Sequence, residues 1–160
     1  MQASMAHIWP IEKIVEYFEF QSPRPKIVLA NGIFDILHGG HISYIQSASK
    51  LGSILVVALN DDRSACGLKG SGRPVMRLQE RMTIMAGLRW VDFVTWFEEL
   101  RLDRVLRLIR PNFHAKGRDY TEQTIPERDV ALEVGAKPVC VGKPKSNSST
   151  KMIDKIFLIE

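Results

Sequence analysis

The sequence predicts a single-domain α/β protein with a doubly wound, Rossmann-like parallel sheet of five strands and helices on both faces. Strand-like and helix-like segments alternate along nearly the whole chain. The strand-like segments are apolar without alternation, which is typical of strands in a parallel sheet covered on both faces. A length of 160 residues suits one domain with one hydrophobic core.

Each element follows from its local pattern. Short apolar runs rich in β-branched residues predict five strands, at residues 26–30, 54–59, 91–96, 113–115 and 138–141. Apolar residues at helical spacing predict six helices, at residues 8–18, 40–50, 77–88, 102–109, 127–134 and 152–157. Pro23 and Pro25 end the first helix. We therefore expect residues 1–25 to form an N-terminal helix and linker, and residues 26–160 to form the domain proper.

Composition and charge limit the class of protein. No apolar run is long enough to cross a bilayer, and the first twenty residues lack the basic-then-apolar order of a signal peptide. We therefore expect a cytoplasmic protein without a membrane partner. Cys66 and Cys140 are too far apart in sequence for a metal knuckle, and in this compartment a disulfide is the weaker expectation.

The net charge of +4 leaves open what the protein binds. The basic residues are scattered, with no dense run and no repeat of aromatic and basic residues, so we do not expect a nucleic-acid partner. A polyphosphate ligand would need the same excess of positive charge only locally. Most of these residues are equally compatible with a mildly basic, solvated surface.

The turn after the first predicted strand is the most informative stretch. Ligands of doubly wound sheets bind beyond the carboxyl ends of the strands. Residues 31–41 read Asn-Gly-Ile-Phe-Asp-Ile-Leu-His-Gly-Gly-His, with His38 and His41 separated by Gly39 and Gly40 where a helix begins. Glycines let the backbone approach a ligand, helix-start amides hold anions, and imidazoles donate hydrogen bonds. This combination suits a triphosphate.

Other interpretations of the same turn are weaker. Two histidines could bind zinc, but a third ligand of the right type is missing at this turn. A single histidine is more often a core residue whose hydrogen bonds are satisfied within the protein. Two such core histidines at one strand-to-helix turn would be unusual. The glycines do not fit G-x-G-x-x-G, and no Walker loop is present.

These motifs resemble the cytidylyltransferase-like nucleotidyltransferase superfamily, whose hallmark is H-x-G-H. Further matching segments are residues 60–64, 69–70, 73–74, 79–82, 116–120 and 148–150. Within the superfamily the set is most similar to the sugar-phosphate adenylyltransferases that form ADP-heptose for lipopolysaccharide. The resemblance covers about residues 26–156, so residues 26–160 are expected to form a nucleotidyltransferase domain.

The resemblance implies a reaction and roles for particular residues. AMP passes from ATP to a sugar 1-phosphate, heptose 1-phosphate, by in-line attack that releases pyrophosphate. The implied catalytic residues, which bind and neutralise the phosphates, are His38, His41 and Lys69. The implied nucleotide-binding residues are Gly32, Ile33, Phe34, Gly40, Lys116, Gly117, Asp119, Ser148, Ser149 and Thr150. The implied substrate-binding residues are Asp35, Arg81 and Arg118.

Some of these residues have structural interpretations that remain open. Asp35 could orient a neighbouring loop or simply cap the turn, and Arg81 could pair with Glu80 on its helix. Ser148, Ser149 and Thr150 could form a plain helix N-cap, a role compatible with phosphate binding. The chain departs from the family at Arg118, where Gly is usual, and at Ser149, where Thr is usual. The first departure adds a cation near the sugar-phosphate side.

The resemblance also implies partners and leaves two alternatives. We expect Mg²⁺, bound mainly through the triphosphate because it bridges phosphate oxygens, and a homodimer, because relatives commonly pair. Many relatives carry a sugar kinase in the same chain, so we expect another protein to supply the phosphorylated sugar here. One alternative is a cytidylyltransferase acting on glycerol 3-phosphate or a similar polyol phosphate. The other is a non-catalytic nucleotide-binding module.

Overall fold

A computed structural model describes residues 5–144 and 148–157 as six strands and seven helices. The strands are β1 (His7–Ile8), β2 (Ile27–Gly32), β3 (Ile54–Asn60), β4 (Phe93–Phe97), β5 (Phe113–Gly117) and β6 (Lys137–Val141). The helices are α1 (Ile11–Glu19), α2 (Gly39–Ser49), α3 (Asp62–Lys69), α4 (Leu78–Ala86), α5 (Asp103–Ile109), α6 (Arg128–Glu133) and α7 (Ser149–Phe157).

The strands form one parallel sheet in the order β1-β4-β3-β2-β5-β6. The doubly wound α/β class is confirmed, but the count of five strands is wrong. The sixth strand is β1, which pairs with β4 through His7↔Phe93 and Ile8↔Val94. Two residues are too few to produce a strand pattern, so the sequence analysis placed Ile8 in the first helix. That helix begins at Ile11, after Pro10, whose φ of −61° suits a helix start.

The two faces of the sheet have separate apolar cores. On β2, Ile27 and Leu29 face α1, α5 and α6, while Val28 and Ala30 face α2 and α4. Ile14 on α1 is completely buried in the first of these cores. The segment predicted as an N-terminal helix and linker therefore contributes a strand and a helix to the domain itself.

Helix α3 is a second difference from the sequence analysis, which treated the residues after β3 as a loop. Its sequence is mostly polar, so apolar spacing gave no signal. The helix is stabilised at its start by Asp61, whose Oδ1 accepts a hydrogen bond from Ser64 N at 2.7 Å. Within residues 5–144 and 148–157, none of the helices combines the length and apolar character that a membrane span requires.

Candidate active site

The order of the strands opens a crevice between β2 and β5. Strand β2 lies between β3 and β5, so the winding of the sheet reverses between β2 and β5. Pairing of β2 with β3 continues to Gly32↔Leu59, whereas pairing of β2 with β5 ends at Ala30↔Ala115. Beyond Ala30 the strands β2 and β5 separate. Ligands of doubly wound folds bind at such a switch point.

Tyr44 and His114 form hydrogen bonds at the point where β2 and β5 separate. Tyr44 on α2 accepts a hydrogen bond from Asn31 N at 3.3 Å and donates one to Ala115 O at 2.7 Å, so its hydroxyl bridges the two separating strands. His114 Nε2 lies 3.1 Å from Asn31 Oδ1. Burial lowers the pKa of His114 to about 3 and raises the pKa of Tyr44. Both side chains are therefore neutral at physiological pH.

His38 and His41 lie together at the start of α2. Their ring centroids are 3.9 Å apart, with 30° between the ring planes. His38 is the N-cap residue, and its Nδ1 accepts a hydrogen bond from Gly40 N at 3.1 Å. Because Nδ1 accepts, the neutral His38 ring carries its proton on Nε2 and can donate it to a ligand. The turn therefore combines imidazole donors with a helix N-terminus, an arrangement suited to anions.

Phe34 adopts a conformation unusual for its residue type. Its φ of 51° lies in the left-handed region, which costs a residue with a side chain about 1–2 kcal/mol. Its buried ring stands edge-on to His41 at 5.4 Å and stacks on Tyr44 at 6.2 Å. Such strain clusters at functional sites. The strained residue belongs to the segment Gly32–Phe34, whose residues the resemblance implies to be nucleotide-binding.

Asp35 organises a neighbouring loop. The residue is only 2% exposed, and its carboxylate accepts hydrogen bonds from Arg73 Nε at 2.9 Å and from the amides of Val75 and Met76. Burial alone would raise the pKa of Asp35, but these donors outweigh it and hold the pKa below its ordinary value. The buried carboxylate therefore holds the loop before α4, and the predicted contact of Asp35 with substrate stays a prediction.

Arg81, also predicted to bind substrate, is buried. Its side chain has 0% exposure. Its guanidinium donates to Met76 O, Ile33 O and Asn60 O, and it pairs with Asp62 Oδ1 at 2.7 Å. Arg81 therefore joins the ends of β2 and β3 to the loop before α4, and its predicted contact with substrate stays a prediction.

Lys69 and Arg118 are exposed. Lys69 is the last residue of α3, not part of a loop, and three residues separate it from Arg73, which Asp35 holds. Arg118 and Asp119 follow β5 on the exposed turn at its carboxyl end. The roles predicted for these three residues stay predictions.

Lys116 is buried near the end of β5. Its Nζ lies 3.4 Å from Glu127 Oε2 and 5.4 Å from the centre of the Tyr120 ring. The sequence analysis missed Glu127, since a single acidic residue before a weak helix gives no pattern. Gly117 follows, and a Cβ added there would meet no atom of the described residues 5–144 and 148–157 within 4 Å. The backbone beside Lys116 therefore borders open space.

The start of α7 is joined to the turn that carries the histidines. Ser149 Oγ donates to Ile36 O at 2.9 Å, and Ser148 Oγ accepts from Lys151 N at 3.2 Å, as in an N-cap. Thr150 is exposed. The structure thus brings two helix N-termini predicted to bind phosphates, those of α2 and α7, to one place, and it shows the capping role as well.

The fold and this site define the chain as a Rossmann-like α/β protein with a histidine pair at the switch point of its sheet. It belongs to the cytidylyltransferase-like family, whose family model matches residues 29–156. The family that the sequence motifs indicated is therefore confirmed.

Two curated relatives share the name bifunctional protein HldE. The one from Desulfatibacillum aliphaticivorans is 36% identical over 155 residues, covering 96% of this chain and 32% of that protein. The one from Shewanella loihica is 42% identical over 132 residues, covering 82% and 28%. This chain thus spans about a third of the length of these relatives.

Solved structures share the fold. The lipopolysaccharide core biosynthesis protein from Thermoplasma volcanium has a TM-score of 0.64 and 26% identity, covering 76% of this chain and 99% of its own. Pantoate-beta-alanine ligase from Francisella tularensis, in a complex with beta-gamma ATP and beta-alanine, has a TM-score of 0.65. At 16% identity, with 96% of this chain and 78% of its own covered, it shows the fold alone.

Proposed function

We propose that this domain is an adenylyltransferase that transfers AMP from ATP to a sugar 1-phosphate, giving a nucleoside diphosphate sugar and pyrophosphate. The observation that carries the proposal is the His38–His41 pair at the start of α2, with ring centroids 3.9 Å apart, beside the start of α7. The resemblance to adenylyltransferases that form ADP-heptose supports heptose 1-phosphate as the acceptor, and the name of one structural neighbour, a lipopolysaccharide core biosynthesis protein, agrees with that product.

In the proposed reaction a phosphate oxygen of the acceptor attacks the α-phosphorus of ATP in line. One phosphorus–oxygen bond forms, the bond between the α-phosphorus and the oxygen bridging to the β-phosphate breaks, and pyrophosphate leaves with that electron pair. No covalent enzyme intermediate is needed. Catalysis then consists of positioning the reactants and stabilising the charge that develops on the phosphates.

The residues of the turn fit this task. The His38 ring, held by Gly40, presents an Nε2–H donor, and His41 lies against it. The helix-start amides of α2 and α7 add partial positive charge for the leaving pyrophosphate. Preorganised donors of this kind contribute about 10²–10³-fold each to a rate when they meet charge that develops in the transition state.

Magnesium enters the proposal as an ion carried by the triphosphate. Among residues 5–144 and 148–157, no group of three or more His, Cys, Asp and Glu side chains is placed to hold a metal. Mg²⁺ commonly keeps several waters and binds through substrate phosphates. No step above is assigned to it.

A matrix of two nucleotides and two acceptors tests the proposal. ATP and CTP are each combined with heptose 1-phosphate and with glycerol 3-phosphate, and pyrophosphate release is measured. We expect release with ATP and heptose 1-phosphate. Release chiefly with CTP and glycerol 3-phosphate would establish the cytidylyltransferase alternative, and ATP binding without turnover under any pairing would indicate a non-catalytic module.

Histidine variants provide a matched control in the same assay. His41→Ala should lower pyrophosphate release by roughly 10²-fold or more. His7→Ala removes an exposed histidine from β1, at the edge of the sheet, and should leave the rate unchanged. Normal turnover by His41→Ala would contradict the assignment of the site.

We also propose that the protein is a cytoplasmic homodimer. Cell fractionation tests the location, and sedimentation equilibrium tests the oligomeric state.

A further inference from the structure

The buried ion pair of Lys116 and Glu127 has no part in the reaction steps above. The two side chains are 10% and 6% exposed, and Nζ lies 3.4 Å from Oε2. Lys and Glu are almost never buried unless they are paired. The pair therefore reflects a specific arrangement at the carboxyl end of β5.

Stability does not account for this pair. Replacing a buried ion pair with apolar side chains of similar volume is often neutral or stabilising. Glu127 occupies the N-cap position of α6, yet its side chain makes no capping hydrogen bond. Its carboxylate thus contacts Lys116 instead of serving the helix that it precedes.

The position of Lys116 connects the pair to the crevice. Lys116 follows Ala115, whose carbonyl accepts from Tyr44 where β2 and β5 separate. It precedes Gly117, whose backbone borders open space. An ammonium has three donors, and one carboxylate oxygen does not use them all. Donors therefore remain for a ligand that reaches the ammonium at the carboxyl end of β5.

We propose that Glu127 is a positioning residue: its carboxylate holds the charged ammonium of Lys116 beside Gly117, where that ammonium donates hydrogen bonds to the nucleoside part of ATP. The inference rests on the proposed function, since it assigns a role within the same site. It adds a residue, Glu127, that acts on the nucleotide only through Lys116.

The charged groups around Lys116 predict how its protonation, and therefore its proposed contact with ATP, depends on pH. Burial lowers the pKa of Lys116, and Glu127 works in the opposite direction. The other titratable groups that face it or its neighbours are the charged side chains of Arg118, Asp119 and Glu122, together with His114 on β5, Cys140 on β6, Tyr120 after β5 and Tyr44 on α2. Burial keeps the last four neutral near neutral pH. Removing the charge of Glu127 should therefore let Lys116 lose its proton at lower pH.

The test uses Glu127→Gln in the full chain, with pyrophosphate release measured against ATP concentration from neutral to alkaline pH. We expect the KM for ATP to rise about tenfold, the loss of one charge-assisted contact, with a smaller change in kcat. We also expect the alkaline limb of kcat/KM to move to lower pH. Glu133→Gln is the matched control, because Glu133 pairs with Arg107 on the exposed side of α6 and should change neither quantity.

Each outcome decides the inference. A folded Glu127→Gln variant would overturn it if the KM for ATP and the alkaline limb of kcat/KM both stay at their wild-type values. A loss of both stability and kcat, with the alkaline limb of kcat/KM unmoved, would also overturn it. If Glu127→Gln does not fold, the double variant Lys116→Met/Glu127→Leu replaces both partners with apolar side chains, a change that buried ion pairs often tolerate. A wild-type KM for ATP in that variant would also overturn the inference. A wild-type chain that releases no pyrophosphate would instead refute the proposed function.

Discussion

His38 has a structural and a proposed catalytic role, and two substitutions separate them. Nδ1 caps α2 by accepting from Gly40 N at 3.1 Å, while the catalytic role needs the donor at Nε2. Asparagine is a favoured N-cap residue, so His38→Asn should keep the cap, whereas His38→Ala should lower the free energy of unfolding by about 1 kcal/mol. Both variants lose the donor, so both should lose about 10²–10³-fold in kcat.

Urea unfolding followed by circular dichroism measures the first effect, and pyrophosphate release at saturating ATP measures the second. Glu80→Ala is the matched control. Glu80 Oε2 accepts from Arg77 N at 3.1 Å at the start of α4, so its loss removes a comparable helix-start contact. We expect a similar loss of stability with activity retained.

The two variants of His38 can refute the reasoning in different ways. Wild-type turnover by His38→Asn would show that the ring serves only as a helix cap. A loss of activity that follows the loss of stability across His38→Ala, His38→Asn and Glu80→Ala would show that the cap alone explains the defect. Unequal rates in two equally stable His38 variants would indicate a difference in side-chain placement, which the donor model does not predict.

Two further predictions concern the loop held by Asp35 and the open space at Gly117. Asp35→Asn should lower the free energy of unfolding at neutral pH by about 1–3 kcal/mol, because Arg73 and two amides lose a charged acceptor. The pKa of Asp35 is lowered in the folded state, so its contribution to the free energy of unfolding is present above the unfolded pKa of about 4 and is lost as the pH falls further. The free energies of unfolding of the wild-type and Asp35→Asn proteins, measured in urea, should therefore converge in acid. A difference that stays constant with pH would contradict this account. Gly117→Ala should change the free energy of unfolding by no more than about 0.5 kcal/mol, since the new Cβ meets no atom of the described residues. It should raise the KM for ATP. Gly142→Ala should instead destabilise the fold, because Gly142 has a φ of +90° and the new Cβ would lie 3.0 Å from Tyr44 Cα. A normal KM for ATP in Gly117→Ala would place the nucleotide elsewhere.

The sequence by itself determined the class of fold and the turn at its centre. Both depend on patterns a few residues long: apolar runs such as Ile27–Leu29, helical spacing such as that of Leu102, Val105 and Leu106, and two histidines three residues apart. Local patterns carry this information because strand and helix periods, and the start of a helix, are properties of neighbouring residues.

The tertiary structure alone decided which charged residues face a ligand. Asp35 lies just beyond the carboxyl end of β2 and Arg81 lies within α4, yet both are buried with partners that are distant in sequence, Asp35 with Arg73 and Arg81 with Ile33. Glu127 meets Lys116 only because the chain folds back from β5 before α6. Long-range packing sets the environment of a charged side chain. A sequence motif can therefore identify a candidate residue, but only the tertiary structure shows whether its side chain contacts the protein's own backbone or remains available to a ligand.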